Sequence, residues 1–369
     1  MGANAHQKVG QGKRVPRLFA LTIEGMDRRS FLLSSAAVSG IASSFAQTGP
    51  KLLKPKALAP GDTVALITPS TFVTDPDLID RVLRTIQYFG LKAKLGRNVR
   101  KKWGYAGGTI AERVEDLHTA FSDPEVKGVF CIRGGYAAGH LLADIDYELI
   151  RRNPKVFIGY SDITALHLAI HKKTGLVTFH GPVPTSAFTP YTQDCYKRAL
   201  FSAKPLGVLT NPTESNTLRP NHTLRTVRGG KVSAALVGGN LSLVIATMGT
   251  PYEIDTRGKL LFLEDVDEQP YQIDRMLTNL RLAGKLQAAA GIVWGECADC
   301  RPKEFRPSFV EGNFSLGEVV DNILGGLKTP VLSGLAIGHT SDQLTLPLGV
   351  MATLDADAGT LTVDESATV

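Results

Sequence analysis

Val156-Phe157-Ile158-Gly159-Tyr160-Ser161-Asp162-Ile163-Thr164 leads directly into Ala165, Leu166, Leu168, Ala169 and Ile170 at helical spacing. An apolar run, a glycine and a lone serine, followed by a helical period, predict a buried strand, a sharp turn and a helix. A serine at such a turn has its hydroxyl lifted clear of the sheet edge. The helix behind it offers unpaired N–H groups and partial positive charge. A nucleophile elbow needs this arrangement, although Ile163 stands where the last glycine of G-x-S-x-G would be. The plainer reading makes Ser161 a helix cap at an ordinary βα turn.

The pattern repeats on either side of this stretch. Thr63 to Ile67, Val126 to Ile132 and Val177 to Phe179 read as strands. Pro76 to Phe89, Ile110 to Phe121 and Ala138 to Leu149 read as helices, and the helix after Ser161 ends near Lys173. Apolar strands alternating with helices predict an α/β fold with a mostly parallel sheet covered on both faces. This unit spans residues 53–185. Residues 186–230 are rich in Thr, Pro and Asn and read as a linker or extended arm. A second unit, 231–369, opens on Ala234 to Val237 and a helix-like stretch reaching Met248. Strands at Lys259 to Leu263 and Ala290 to Trp294 follow, with helices at Tyr271 to Leu282 and Leu316 to Leu324. Short strands near Leu344 and from Met351 to Leu354 give an antiparallel finish.

The N-terminus reads as an address. Asp27-Arg28-Arg29-Ser30-Phe31-Leu32-Leu33 resembles a twin-arginine export motif, and Leu32 to Phe45 is a short, weakly apolar segment. Ser44-Phe45-Ala46 supplies small residues where a signal peptidase reads, so cleavage is expected after Ala46 and the mature chain is expected in the periplasm. Met26 lies just before the twin arginines; if translation starts there rather than at Met1, residues 1–25 are an upstream extension. Residues 1–46 hold six Lys and Arg against two acids, a net +4 of the chain's +6. The remaining +2, with no Lys/Arg stripe interleaved with aromatics, gives no reason to expect a nucleic-acid partner. Of four cysteines, Cys131 reads as buried and Cys195 as isolated. Cys297-Ala298-Asp299-Cys300 lacks the second pair that would complete a zinc site, but could close a local disulfide in an oxidising compartment.

A nucleophilic serine needs a base, an orienting carboxylate and an oxyanion hole. Of eight histidines, His180 and His339 each follow an apolar strand at the start of a loop. Spacing does not choose between them. His118 and His140 read as packed or surface residues, His167 and His171 project from the helix after Ser161, and His222 lies in the arm. Leu261-Phe262-Leu263-Glu264-Asp265-Val266-Asp267-Glu268 ends an apolar run in four acids, of which Glu264 is the first. Arg133-Gly134-Gly135-Tyr136 follows the Val126 strand and would share an edge with Ser161 if the strands are neighbours. Its glycines would let backbone approach a ligand.

Together these blocks resemble the LD-carboxypeptidase family of serine peptidases, which includes muramoyltetrapeptide carboxypeptidases and microcin-C self-immunity peptidases. The likeness covers residues 53–357. It rests on Gly104-Tyr105-Ala106-Gly107-Gly108-Thr109, Arg133-Gly134-Gly135-Tyr136, Gly159-Tyr160-Ser161-Asp162, His180-Gly181-Pro182, Gly238-Gly239-Asn240-Leu241, Leu263-Glu264-Asp265-Val266, Tyr271-Gln272-Ile273-Asp274-Arg275-Met276-Leu277 and Gly338-His339-Thr340 with Leu346-Pro347-Leu348-Gly349. The resemblance implies a Rossmann-like parallel domain and a smaller β-rich C-terminal domain, with the site between them. It implies a Ser161–His339–Glu264 triad, which makes His180 structural. It also implies oxyanion donors at Gly134 or Gly135 and at Asp162, substrate contacts at Tyr136 and Asn240, no cofactor or metal, and a homodimer. The implied substrate is a murein peptide, with the twin-arginine translocase a partner during export. Two alternatives are an amidase acting on a peptidyl-nucleotide antibiotic and an inactive peptide-binding homologue. Three departures stand out: the family's R-G-G-Y-G continues here as Ala137, with His140 in place of an arginine; the segment from Cys297 to Asn313 is longer; and this chain reads as carrying an export signal where many members are cytoplasmic.

Overall fold

Alternate residues of one short strand set the layering of the first sheet. In β1 (Thr63–Ile67), Val64 and Leu66 pack into one apolar cluster, while Ala65 and Ile67 pack into another on the opposite face. A strand buried on both faces is what a parallel, helix-covered sheet requires. The computed structural model describes residues 50–213, 218, 220–302 and 313–369. The export signal read in residues 1–46, with its alternative start, lies outside the described residues, as do residues 303–312 of the long segment before Asn313.

The first sheet is built by β1, β2 (Lys92–Leu95), β3 (Val126–Cys131), β4 (Val156–Gly159) and β5 (Phe179–His180). All five run parallel, in the order β5-β4-β3-β1-β2. The connecting helices are α1 (Pro76–Tyr88), α2 (Ile110–Ser122), α3 (Tyr147–Arg152) and α4 (Thr164–Thr174). Local chemistry starts them where they start. Asp75 caps α1 ahead of Pro76. Thr109 and Glu112 form a reciprocal capping box on α2.

Residues 186–230 are more regular than their composition suggests. They carry α5 (Pro190–Leu200), capped by Thr189, and two strands, β6 (Pro205–Leu209) and β7 (Arg225–Arg228). These strands form the two outer edges of the second sheet, in the order β6-β14-β13-β8-β9-β10-β11-β7. Short edge strands are held by main-chain pairing, so they need no apolar alternation to form. The rest of that sheet comes from β8 (Lys231–Asn240), β9 (Leu260–Val266), β10 (Gly291–Ala298), β11 (Val331–Leu335), β13 (Met351–Asp355) and β14 (Thr360–Ser366). β8 to β11 are parallel, and β13 and β14 complete the antiparallel half. Helices α6 (Leu241–Ala246), α7 (Pro270–Leu282), α8 (Lys285–Ala288) and α9 (Leu316–Leu324) supply the crossovers.

The intervening strand, β12 (Leu346–Pro347), leaves the second sheet and pairs antiparallel with β5 of the first. One apolar cluster likewise holds Phe130 and Ile158 of the first sheet together with Phe262 and Leu354 of the second. The sheets therefore share a core. The helix expected from Ala138 to Leu149 is corrected. Only a 3₁₀ turn forms at Ala138–Leu141, and α3 begins after Asp146, whose carboxylate accepts from the Leu149 N–H. Asp144, Asp146 and Gly139 are poor helix-interior residues, and Asp146 serves better as a cap. Among the described residues, no helix is long and apolar enough to cross a membrane.

Candidate active site

Ser161 sits immediately beyond the C-terminal end of β4, in a 3₁₀ turn that runs into α4. Its φ is +64°. A non-glycine residue held in this region costs of order 1–3 kcal/mol, and such strain gathers at functional turns. Ile163, where the elbow pattern wants glycine, is fully buried in the core. β3 is the direct neighbour of β4, so the glycine turn after β3 does arrive beside Ser161. A Cβ on Gly134 would stand 2.9 Å from the Ser161 Cβ and 3.1 Å from the Tyr160 carbonyl oxygen. Only glycine allows that approach. Among the described residues, neither the Gly134 nor the Gly135 N–H has an acceptor.

The turn is tied down by the residue after the serine. Asp162 is buried, and its Oδ2 accepts from the Ser70 hydroxyl at 2.5 Å and from the Ala138 N–H at 2.8 Å. Ser70 Oγ also lies 3.2 Å from the Tyr136 carbonyl, and the Tyr136 N–H donates to Thr71 Oγ1 at 3.0 Å. Arg113, buried beneath, donates through Nη1 to the carbonyls of Pro69 and Ala137. Burial raises the Asp162 carboxyl above its ordinary value, against the lowering effect of Ser70, Ala138 and Arg113. Sequence reading missed Arg113 and Ser70, because nothing in their spacing marks them. Ala137 takes φ +89°, which explains why a glycine suits this position.

The second sheet brings the carboxylate and the imidazole. β8 and β9 are parallel neighbours, with Asn240 opposite Glu264. Glu264 is completely buried, and its Oε2 lies 2.8 Å from His339 Nδ1. A carboxylate only accepts, so Nδ1 carries the proton and Nε2 the lone pair. His339 is part-buried on the loop after β11, and its ring centroid lies 4.9 Å from that of Tyr160, the neighbour of Ser161. Burial pulls its pKa down, but the hydrogen bond to Glu264 and the charges of Glu264 and Asp265 outweigh this and leave it raised. Ser161 Oγ itself makes no hydrogen bond among the described residues. Such contacts are often long until substrate binds.

Asn240 and Tyr136 have different settings. Asn240 is buried. Its side chain caps α6, accepting from the Leu243 N–H, and donates to Asp265 Oδ1 at 2.9 Å. Asp265 also accepts from Ser242 and from the Val266 N–H. This acid, like Glu264, is therefore a buried anchor. Tyr136 is 72 % exposed, its ring 6.4 Å from that of Tyr105. His222, expected only as part of the arm, is buried between two carboxylates: Nδ1 lies 2.5 Å from Glu296 and Nε2 lies 3.1 Å from Asp342. His118 accepts from the Asp146 N–H, and His140 is exposed. Cys297 and Cys300 are free thiols. Among the described residues, no three His, Cys, Asp or Glu side chains converge as metal ligands.

The strand ends of the parallel first sheet thus face those of the parallel part of the second, and the serine turn, an open glycine turn and a His–Glu pair meet there. Such sheet ends are where open α/β folds bind ligands. Comparison with known proteins agrees with this architecture. Residues 64–181 match the LD-carboxypeptidase N-terminal domain and residues 233–354 match the LD-carboxypeptidase C-terminal domain. The probable murein peptide carboxypeptidase of Bacillus subtilis is 44% identical over 311 residues, covering 84% of this chain and 94% of that protein. A solved structure of MccF in complex with glutamyl sulfamoyl guanosine superposes with a TM-score of 0.76 at 28% identity, covering 86% of this chain and 100% of that one. The muramoyltetrapeptide carboxypeptidase of Oxalobacter formigenes gives 0.70 at 28% identity, over 82% and 98%.

Proposed function

The chain belongs to the LD-carboxypeptidase family, and from that premise we propose that it is a serine carboxypeptidase removing the terminal D-alanine from murein tetrapeptides, with Ser161, His339 and Glu264 as its triad. The observation that carries this reading is the His339–Glu264 pair, buried on one sheet and facing the strained serine turn of the other.

The steps follow from the atoms. Ser161 Oγ attacks the carbonyl of the scissile amide, and His339 Nε2 takes its proton. The Nδ1–H bond to Glu264 fixes the imidazole tautomer and stabilises the imidazolium that forms. Charge then develops on the substrate oxygen. The Gly134 and Gly135 N–H groups, with that of Asp162, are the donors for it, and losing one such donor costs about 10²–10³ in rate. His339 next protonates the leaving D-alanine amine, and water hydrolyses the acyl-serine by the reverse relay. Tyr136 and Asn240 are assigned to the substrate side, Tyr136 by contact and Asn240 by holding Asp265 and the start of α6. L,D specificity, export through a twin-arginine signal, a periplasmic site of action and a homodimeric state belong to the same reading.

The test is mass spectrometry of purified murein tetrapeptide after incubation with the wild type and with Ser161→Ala. Loss of D-alanine with the wild type, absent from the variant, is the expected result. Near-normal release by Ser161→Ala refutes the nucleophile. The MccF-like fold justifies adding peptidyl-nucleotide conjugates to the panel, and hydrolysis of those alone would favour the amidase reading.

A further inference from the structure

His180 has no part in the triad, yet it is among the most enclosed polar groups of the molecule. It stands on β5, in register with Gly159 of the strand that leads to Ser161. The side chain is fully buried and faces the second sheet, where Nε2 lies 3.7 Å from Glu264 Oε1. Glu264 Oε1 has no hydrogen-bond partner among the described residues, and neither has either nitrogen of His180. A buried carboxylate oxygen without a donor is expensive, as is a buried imidazole N–H without an acceptor. Each group is what the other lacks.

The surroundings decide the proton. Around the ring stand His167 of α4 at 6.2 Å between centroids, Tyr160 at 6.3 Å, Phe262 of β9 at 5.4 Å, and Glu264. His339 adds its charge from the loop after β11. Burial, and then His167 and His339, press the His180 pKa well below the ordinary imidazole value. The ring therefore stays neutral in the working range, with one N–H to give. His167 Nε2 is already committed to the Gly159 carbonyl at 2.8 Å, so it does not compete for Glu264.

We propose that His180 is a positioning residue for the reaction, donating Nε2–H to Glu264 Oε1 so that one carboxylate is gripped by two imidazoles. His339 holds Oε2 and His180 holds Oε1. A contraction of less than about 1 Å brings the present separation to hydrogen-bond length. The carboxylate of the second sheet is then fixed to the strand beside the nucleophile, and the two halves of the triad share one reference point. This rests on the triad reading above.

A matched pair of variants tests it. His180→Gln keeps an N–H donor near the position of Nε2, and His180→Met has similar length and none. On murein tetrapeptide, His180→Met is expected to lose about 10–100-fold in kcat, the usual effect of removing an orienting partner, with KM little changed. The acid limb of its kcat/KM profile should move to higher pH, because a carboxylate relieved of one donor holds the His339 proton more tightly. The downfield NMR resonance of the His339 Nδ1–H should move with it. His180→Gln should restore kcat, limb and resonance. Equal behaviour of the two variants, or wild-type kcat in His180→Met, overturns the proposal and leaves the ring a space-filler. Should His180→Met fail to fold, His180→Gln decides: a wild-type resonance supports the proposal and a displaced one overturns it. Ser161→Ala and Glu264→Gln run alongside. Activity in those would fail the triad itself, while their inactivity with an indifferent His180 pair fails only this inference.

Discussion

Replacing Gly338 by alanine should disable the site without altering one of its polar groups. Gly338 has φ +83°, and a Cβ built there stands 2.0 Å from Glu264 Oε2 and 2.2 Å from its Cδ. Oε2 is the atom that holds His339. Contacts that short do not persist, so either the carboxylate swings away or the loop carrying His339 shifts. The left-handed backbone adds about 1–2 kcal/mol for any residue with a Cβ. Losing a hydrogen bond to a charged group adds about 1.5–3 kcal/mol. The overlap itself empties the present geometry, and the displaced variant carries a total cost of about 2.5–5 kcal/mol relative to the wild type. A Ser–His–acid triad whose acid no longer fixes the tautomer loses about 10⁴ in kcat. A partial displacement costs less, so we expect about 10²–10⁴. D-alanine release gives kcat and KM, and a thermal melt gives the folded fraction. Wild-type kcat in a folded Gly338→Ala protein, or a defect confined to KM, would refute the geometric argument.

Three further outcomes follow. Ala137→Gly relieves a left-handed alanine and should raise stability by about 1 kcal/mol, read as a higher melting temperature with unchanged kcat. The acid limb of kcat/KM should fall above the ordinary imidazole value of about 6.5, because the Glu264 bond and charge outweigh burial in holding the proton on His339; in the inactive Glu264→Gln protein, NMR titration of the His339 ring should give a lower value than in the wild type. At His222, burial lowers the pKa but the Glu296 and Asp342 bonds raise it further. The stability it lends is thus fully present below about pH 6.5 and disappears as pH climbs through the raised folded value. His222→Gln should therefore lower the melting temperature more at pH 6 than at pH 9, and an equal loss at both would contradict the bridge.

What the sequence revealed follows the physics of each segment. The Ser161 turn was readable because the period changes there from a continuous apolar run to helical spacing within three residues. Glu264 was readable as the first acid after an apolar run, and it lies inside β9 with no exposed surface. The histidines were not separable, since His180 and His339 have the same local grammar. The structure shows why: both face the one carboxylate. β2 escaped notice because an edge strand of Lys-Ala-Lys-Leu is exposed throughout. The role of His222 was invisible for another reason. Its partners lie 74 and 120 residues away, and no local pattern encodes so distant a pairing.

The loan of Leu346 and Pro347 to β5 has a consequence for how the protein comes into being. The rim of the sheet that carries Ser161 is finished by a segment 166 positions downstream of its partner His180, and Val369 is stitched by paired amides to Pro55 and Ala57 near the start of the described chain. A chain that stops short of Leu346 cannot close that rim, so residues 53–185 should not mature as a free-standing module. Cutting the gene between the two halves should give fragments that assemble only with each other, and a tag fused after Val369 should loosen the seam that a tag at the other end leaves intact.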